Sequence, residues 1–208
     1  MTISWFGLSS FKITSKDVTI ITDPFGSDTG LSPVRGSADI VVSSDPKNGT
    51  CNNFSSISGN PFVITGPGEY DIKGVFVIGT PADDHEGSPT IYSIEAEDIR
   101  IAFLGAVKQT HLSDAQKEVL ESSDIVLVPV GNQKLLDFEQ AAKIATQLEP
   151  YIVIPHTYNI PGLKLGFDKL EKFLKEMGGR ADTEDKLTIK KKDLVGDSTK
   201  LFILNPQR

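Results

Sequence analysis

Phe62-Val63-Ile64-Thr65-Gly66-Pro67-Gly68-Glu69-Tyr70-Asp71-Ile72 is the stretch that decides how the first half of the chain is read. Apolar and β-branched residues run up to Thr65. Gly66-Pro67-Gly68 then supplies the backbone angles of a reversal, and a second extended run begins at Tyr70. The glycines look superficially like a phosphate-binding loop. No Lys-Ser/Thr pair and no helical pattern follow them, so strand–turn–strand is the better reading.

The same pattern recurs on both sides. Upstream, Ile3–Phe6, Phe11–Thr14, Val18–Thr22 and Ile40–Ser43 read as short strands. The first three are split by Gly7-Leu8-Ser9 and Ser15-Lys16-Asp17. Gly7-Leu8-Ser9-Ser10 could gather an anion on its N–H groups, but a plain hairpin is preferred. Downstream, Val75–Ile78, Ile91–Glu95 and Ile99–Leu104 continue the series. The rhythm then changes. Ser113 is placed to cap a helix running to about Leu120, and Ile125–Val128 is a buried strand. Phe138–Leu148 sets Ala141, Ile144, Ala145 and Leu148 at helical spacing before Pro150 stops it. Tyr151–Ile154 is a strand, and Phe167–Met177 a helix ended by Gly178-Gly179. Lys186–Lys190 and Lys200–Leu204 read as exposed edge strands. Antiparallel strands followed by strand–helix alternation predict an α/β (α+β) protein with mixed sheets and helices outside. No linker, repeat or low-complexity segment divides the chain, so one domain over residues 1–208 is expected.

The 208 residues, 38% of them hydrophobic, can bury one core. A formal net charge of -7 argues against general nucleic-acid binding, which needs a basic footprint. Lys190-Lys191-Lys192 is short, is followed by Asp193, and reads as a solvated strand end that guards a sheet edge. No signal-like or membrane-spanning apolar run is seen, and the single Cys51 has no internal disulfide partner. A cytoplasmic location with no membrane association is therefore expected. Edge strands near the C-terminus leave a homo-oligomer open.

In chain order, Trp5-Phe6-Gly7-Leu8-Ser9-Ser10-Phe11, Ile21-Thr22-Asp23-Pro24-Phe25 and Ala38-Asp39-Ile40-Val41-Val42-Ser43-Ser44 are followed by Gly66-Pro67-Gly68-Glu69-Tyr70. Phe103-Leu104-Gly105, Val128-Pro129-Val130-Gly131 and Ile154-Pro155-His156-Thr157-Tyr158 complete the set. Together these segments resemble the metallo-β-lactamase superfamily, closest to its ascorbate-6-phosphate-lactonase-like branch of Zn-dependent hydrolases. The resemblance spans roughly Thr2 to Leu204. It implies a four-layer αββα sandwich and, in active relatives, a dinuclear zinc site of His and Asp on strand-end loops.

In this chain the ligand positions implied by the resemblance carry other residues. The His-x-His-x-Asp-His cluster falls on Ser44, Pro46, Asn48 and Gly49, with Asp45 among them. The His-Leu-Gly-Asp segment places Phe103 on its His and Ala106 on its Asp. The final His position is Thr157, with His156 one residue early, so that it need not face the pocket, since adjacent strand residues point to opposite sides. Asp23 supports the ligands by hydrogen bonding in relatives. Without a metal, a strand-end turn bonded to its own backbone is the expectation. The resemblance thus implies a vestigial pocket of Asp23, Ser44, Asp45, Pro46, Asn48, Gly49, Phe103, Ala106, His156 and Thr157. No catalytic residue, metal or cofactor is expected in it.

No histidine occurs between Met1 and Asp84; the three in the chain are His85, His111 and His156. Asp23, Asp45, Asp83 and Asp84 could at most form a weak carboxylate site for Mg²⁺ or Ca²⁺. Cys51 would need a base to act as a nucleophile, and no spacing pairs it with His85 or His156, so an ordinary free loop thiol is expected. His85, in a loop where relatives carry a pocket-lining His-Asp pair, and His111 are expected at the surface. The expected function is that of a degenerate, non-catalytic member of the fold, binding or scaffolding a protein or small-molecule ligand. The alternative is a metal-dependent hydrolase of lactones or phosphoesters with an atypical ligand set.

Overall fold

In Thr2–Gly7 (β1), Ile3 and Trp5 are buried while Thr2, Ser4 and Phe6 are half-buried, the two-residue alternation of a strand with one covered face. The computed structural model describes residues 1–82, 88–131, 135–196 and 198–207. In chain order the further strands of the first half are Ser10–Ser15 (β2), Val18–Thr22 (β3), Gly36–Ser37 (β4), Ile40–Val42 (β5), Ile57–Ser58 (β6), Phe62–Ile64 (β7), Gly68–Ile72 (β8) and Val75–Pro81 (β9). Thr90–Ala96 (β10), Ile99–Phe103 (β11), Ile125–Pro129 (β12), Ile152–His156 (β13), Asp182–Glu184 (β14), Leu187–Thr188 (β15) and Lys200–Leu204 (β16) follow. The helices are Asp114–Leu120 (α1), Phe138–Gln147 (α2) and Glu171–Glu176 (α3).

Two sheets face one another. The first has the order β15-β1-β2-β3-β5-β7, antiparallel through β3 and parallel from β3 to β7. The second has the order β14-β16-β13-β12-β11-β10-β9-β8, antiparallel from β8 to β11 and parallel beyond. One apolar cluster joins them, drawing Ile3, Phe11 and Ile20 from the first sheet and Val77, Ile94 and Ile101 from the second. Gly66-Pro67 carries the chain from β7 to β8, from the edge of one sheet to the edge of the other. The strand–turn–strand reading holds, with Gly68 and Glu69 already extended.

The outer layers differ. Helix α1 packs on β9 and β10, α2 on β12, and α3 on α2. The outer face of the first sheet is covered by a second cluster containing Leu8, Ile21, Phe25 and Val41 beneath Leu165 and Phe167. Short 3₁₀ turns at Ser27–Thr29 and Phe54–Ser56 lie in the segments on that side. This is the sandwich expected from the sequence, with loops and 3₁₀ turns standing in for long helices over one sheet. Among the described residues no helix is long and apolar enough to cross a membrane.

Three local expectations are corrected. The helix expected from Phe167 begins only at Glu171, because Phe167 turns into the second cluster and the Asp168 N–H donates to the Gly131 carbonyl. The strand expected over Lys186–Lys190 shortens to Leu187–Thr188, since Ile189 already bonds the Met1 carbonyl and a 3₁₀ turn starts at Lys191. Lys191 is not a free guard charge: its Nζ meets both oxygens of the buried Asp124 carboxylate at 2.8 Å.

Candidate active site

The carboxyl ends of β3, β5, β11 and β13 bring Asp23, Ser44, Ala106 and Thr157 to one end of the sandwich, where open sheets place ligands. Asp23 follows β3 with φ 38° and donates its N–H to the Val42 carbonyl at 2.8 Å. Its side chain does not bond its own turn, which corrects the local expectation. Oδ1 accepts the Ser44 N–H at 2.7 Å and Oδ2 accepts the Ser44 hydroxyl at 2.6 Å. The Ser9 hydroxyl and the Cys51 thiol, 4.0 Å from one another, stand near enough to influence this carboxylate. The Ser44 hydroxyl in turn accepts the Ala106 N–H at 3.1 Å. One serine therefore ties the ends of three strands together.

That contact needs Gly105. It adopts φ 53°, and a Cβ placed there would lie 2.1 Å from the Ser44 Cβ. Gly131 plays the same part against the last loop, where a Cβ would meet the Thr157 carbonyl oxygen at 1.9 Å. Sequence reading placed both glycines in family segments but gave no sign of these approaches.

Burial raises the Asp23 pKa to about 6, and Ser44, Ser9 and Cys51 restrain the rise. Burial, reinforced by the Asp23 charge, pushes the Cys51 thiol well above its usual range. Cys51 is the free loop thiol expected, but a buried one, and its raised pKa is opposite to that of a poised nucleophile. His156 is fully buried, its ring 5.6 Å from that of Phe11 and 6.2 Å from that of Phe103. Nδ1 and the Thr157 Oγ1 are 2.8 Å apart, and Nε2 has no hydrogen-bond partner among the described residues. Burial drives the His156 pKa down to about 3, with the Leu127 backbone acting the other way. This imidazole is neutral throughout the physiological range.

A cavity of about 400 Å³ opens at this end. Of the ten predicted pocket residues, Asn48, Ala106 and Thr157 line it. Asp23 and Ser44 are buried, Asp23 lying behind Ser9 and Cys51, which do line it. Phe103 and His156 belong to the interior and not to the cavity wall. Asp45 and Pro46 are half-buried and Gly49 exposed, all three outside the lining. The cavity also uses Leu8, Ser9, Thr50, Lys108, Leu165 and Phe167, which were not in the predicted set. Ser9 had a signal in Gly7-Leu8-Ser9. Leu165 and Phe167 had none: Leu165 lay in a segment without a pattern, and Phe167 read as a helix start. His111 is exposed as expected, while Asp83, Asp84 and His85 lie outside the described residues.

Among the described residues the donor set does not suit a dinuclear zinc centre. Among the described residues no group of three or more His, Cys, Asp or Glu side chains stands together to hold a metal ion. The Asp23 oxygens are engaged by Ser44, and the polar wall consists of the Ser9, Thr50 and Thr157 hydroxyls, the Asn48 amide, the Cys51 thiol and the Lys108 ammonium.

The chain has measurable likeness to proteins of known class. It is 27% identical over 147 residues to a UPF0173 metal-dependent hydrolase of Pyrococcus horikoshii, an alignment covering 67% of this chain and 56% of that protein. It is also 27% identical over 203 residues to a UPF0173 metal-dependent hydrolase of Pyrococcus abyssi, covering 91% of this chain and 79% of the relative. A crystal structure of a candidate Zn-dependent hydrolase of the metallo-β-lactamase superfamily from Thermotoga maritima superposes with a TM-score of 0.83 at 28% identity, covering 98% and 97% of the two chains. Residues 2–157 match the model of the beta-lactamase superfamily domain, a span that includes β1 to β13 and every strand end around the cavity. By that match, this chain belongs to the metallo-β-lactamase superfamily.

Proposed function

We propose that this chain is a non-catalytic member of the superfamily, a single-domain protein of its ascorbate-6-phosphate-lactonase-like branch. In this reading it has exchanged the dinuclear zinc site for a hydrogen-bonded binding pocket and works in the cytoplasm by binding or scaffolding. The observation that carries the reading is the Ser44 hydroxyl, which donates to Asp23 and accepts from the Ala106 N–H. Clustered carboxylates at strand ends repel one another unless a cation neutralises them. Here a single buried carboxylate is satisfied by neutral donors, and the loops are held by hydrogen bonds where a metal would otherwise hold them. Asn48, Ala106 and Thr157, at positions that carry ligands in relatives, add no charge. Metal analysis of purified protein, paired with a melt in chelator, tests this. The expected outcome is substoichiometric metal and an unchanged melting temperature; near-stoichiometric zinc, or a chelator-induced fall, sinks the reading.

A second reading is favoured by the relatives, which are described as metal-dependent hydrolases. It gives the chain lactone or phosphoester hydrolysis with an atypical ligand set. Turnover that appears with Zn²⁺ or Mn²⁺ and vanishes in Asp45→Ala supports it. A flat screen with metals added ends it.

A further inference from the structure

On one flank of the sandwich both sheets stop at a strand unpaired on its outer side, β7 in the first and β8 in the second. The four sheet edges are not alike. β15 has two residues, β7 has three, and β14 is Asp182-Thr183-Glu184, exposed throughout, so these edges are short or wholly polar. β8 runs for five residues, Gly68-Glu69-Tyr70-Asp71-Ile72, with no proline, lysine or bulge to blunt it. Among the described residues its backbone makes no hydrogen bond except with β9, so alternate N–H and C=O groups face outward. The pairing with β9 sets the chemistry of its two faces. Glu69 stands opposite Ile78 and Asp71 opposite Phe76 on the outer face, while Tyr70 stands opposite Val77 and Ile72 opposite Val75 on the inner one. Tyr70 and Ile72 pack against the core, the Tyr70 ring 6.3 Å from that of Phe62 on β7. Glu69 and Asp71 are exposed and have no ion-pair or hydrogen-bond partner among the described residues. Phe76, 52% exposed, and Ile78 lie bare beside them.

We propose that β8 is the docking edge for an extended protein segment in which apolar and basic residues alternate, added to the second sheet as a further strand. Residues opposite Gly68, Tyr70 and Ile72 turn inward, toward Phe62, and are apolar. Residues opposite Glu69 and Asp71 turn outward and carry positive charge, because opposite charges stabilise a cross-strand pair and like charges destabilise it. The methylene stem of such a lysine or arginine extends toward Ile78 and Phe76 and covers apolar surface that is otherwise wet. The same charges disfavour a second copy of this chain. A two-fold pair of β8 strands centred on Tyr70 sets each Glu69 opposite the other copy's Asp71, and one centred on Asp71 brings the two Asp71 carboxylates together. The surface shares no residue with the cavity at the strand ends, so its occupant does not depend on whether a metal binds there.

The probe is a capped peptide, Val-Lys-Val-Lys-Val, titrated into the full chain and followed by amide NMR shifts. Its controls are Val-Glu-Val-Glu-Val and the lysine peptide with every amide N-methylated. The lysine peptide is expected to shift the amides of residues 68–72 and to bind at least about tenfold tighter than the glutamate peptide, since two cross-strand attractions become two repulsions. N-methylation should abolish binding, because it removes the ladder donors and keeps the charge. The double variant Glu69→Gln/Asp71→Asn changes only exposed side chains and should weaken the lysine peptide about two- to thirtyfold, the worth of two cross-strand charge pairs. The proposal is overturned if the lysine peptide does not bind, or if it binds the double variant equally well. It is also overturned if the N-methylated peptide binds as tightly, which would leave only a diffuse charge contact. Self-association through β8 that the peptide does not displace would make the occupant a second copy and overturn it too.

Discussion

Asp23 and His156 are both fully buried at strand ends of the same face, yet their surroundings are opposites. Asp23 accepts hydrogen bonds from the Ser44 N–H and the Ser44 hydroxyl. His156 sits between the rings of Phe11 and Phe103 with one nitrogen held by Thr157 and the other without a partner among the described residues. Burial favours the neutral form of each, so it raises the acid and lowers the base. The donors keep Asp23 near 6, while the rings let His156 fall to about 3. Equal burial thus produces two titrations whose effects on stability have opposite sign.

The largest expected effect comes from separating them. His156 has an ordinary value of 6.5 and a folded value of about 3, so between these the unfolded chain takes up a proton that the native state refuses. Its contribution is complete above pH 6.5 and is lost as pH falls toward 3, by about 4–5 kcal/mol at about 1.4 kcal/mol per unit. Asp23 has a folded value of about 6 against 3.8, so the native state holds the proton that the unfolded chain releases. Its contribution is complete below 3.8 and is lost as pH rises through 6, by about 3 kcal/mol. In the unmodified protein the two largely cancel between pH 4 and 6. His156→Leu should remove one arm, leaving a variant that gains stability on acidification from pH 7 to 5. Asp23→Asn should steepen the acid loss instead. Asp39 and Glu97 are held below their ordinary values by Lys73 and by Ser15, and because all three proteins keep them, their contribution is common to the three slopes. Denaturant midpoints across pH 4–8 measure the slopes; parallel curves for all three proteins would refute the opposition.

The next effect breaks the Asp23 side alone. Gly105→Ala places a methyl group 2.1 Å from the Ser44 Cβ on a residue at φ 53°. Overpacking and left-handed strain together should cost about 3 kcal/mol. Gly74→Ala is the control, because Gly74 also has positive φ, at 78°, but a Cβ there meets nothing within 4 Å. If the two variants lose the same stability, the Ser44 contact is not what requires Gly105.

Much of the sandwich was legible because its signals are local. Val18–Thr22 and Lys200–Leu204 form strands with the expected bounds, although the latter lies between β14 and β13 and not at a sheet edge. Ser113 caps α1 as expected, its hydroxyl accepting the Gln116 N–H. The site was legible only as a set of positions. Its wiring joins residues 21 and 62 positions apart, Asp23 to Ser44 and Ser44 to Ala106, and no periodicity reports such pairs. Phe167 misled for a related reason. Its spacing with Leu170 and Phe173 fits a helix, but the apolar cover needed over the first sheet takes it instead, which is tertiary packing overriding local propensity. His156 was counted among the pocket residues although strand alternation left it free to face away, and it lies in the interior, outside the cavity lining.

The smallest effect measures the link between the cage and its charge. Ser44→Ala removes a donor to a buried carboxylate and an acceptor from the Ala106 N–H, and should cost about 1–3 kcal/mol at neutral pH. Part of that cost exists only because Asp23 is charged, since a stranded buried charge is worse than a stranded amide. In an Asp23→Asn background the same substitution should therefore cost about 1 kcal/mol less, a coupling within the usual range for residues in one network. The comparison should also depend on pH. Below pH 5, where Asp23 in the native state carries its proton, the coupling should shrink, because the carboxyl has become its own donor. A coupling that is near zero at pH 8, or equal at pH 8 and pH 5, would mean that Ser44 acts as a neutral spacer and that the loops are held by packing around Gly105 alone.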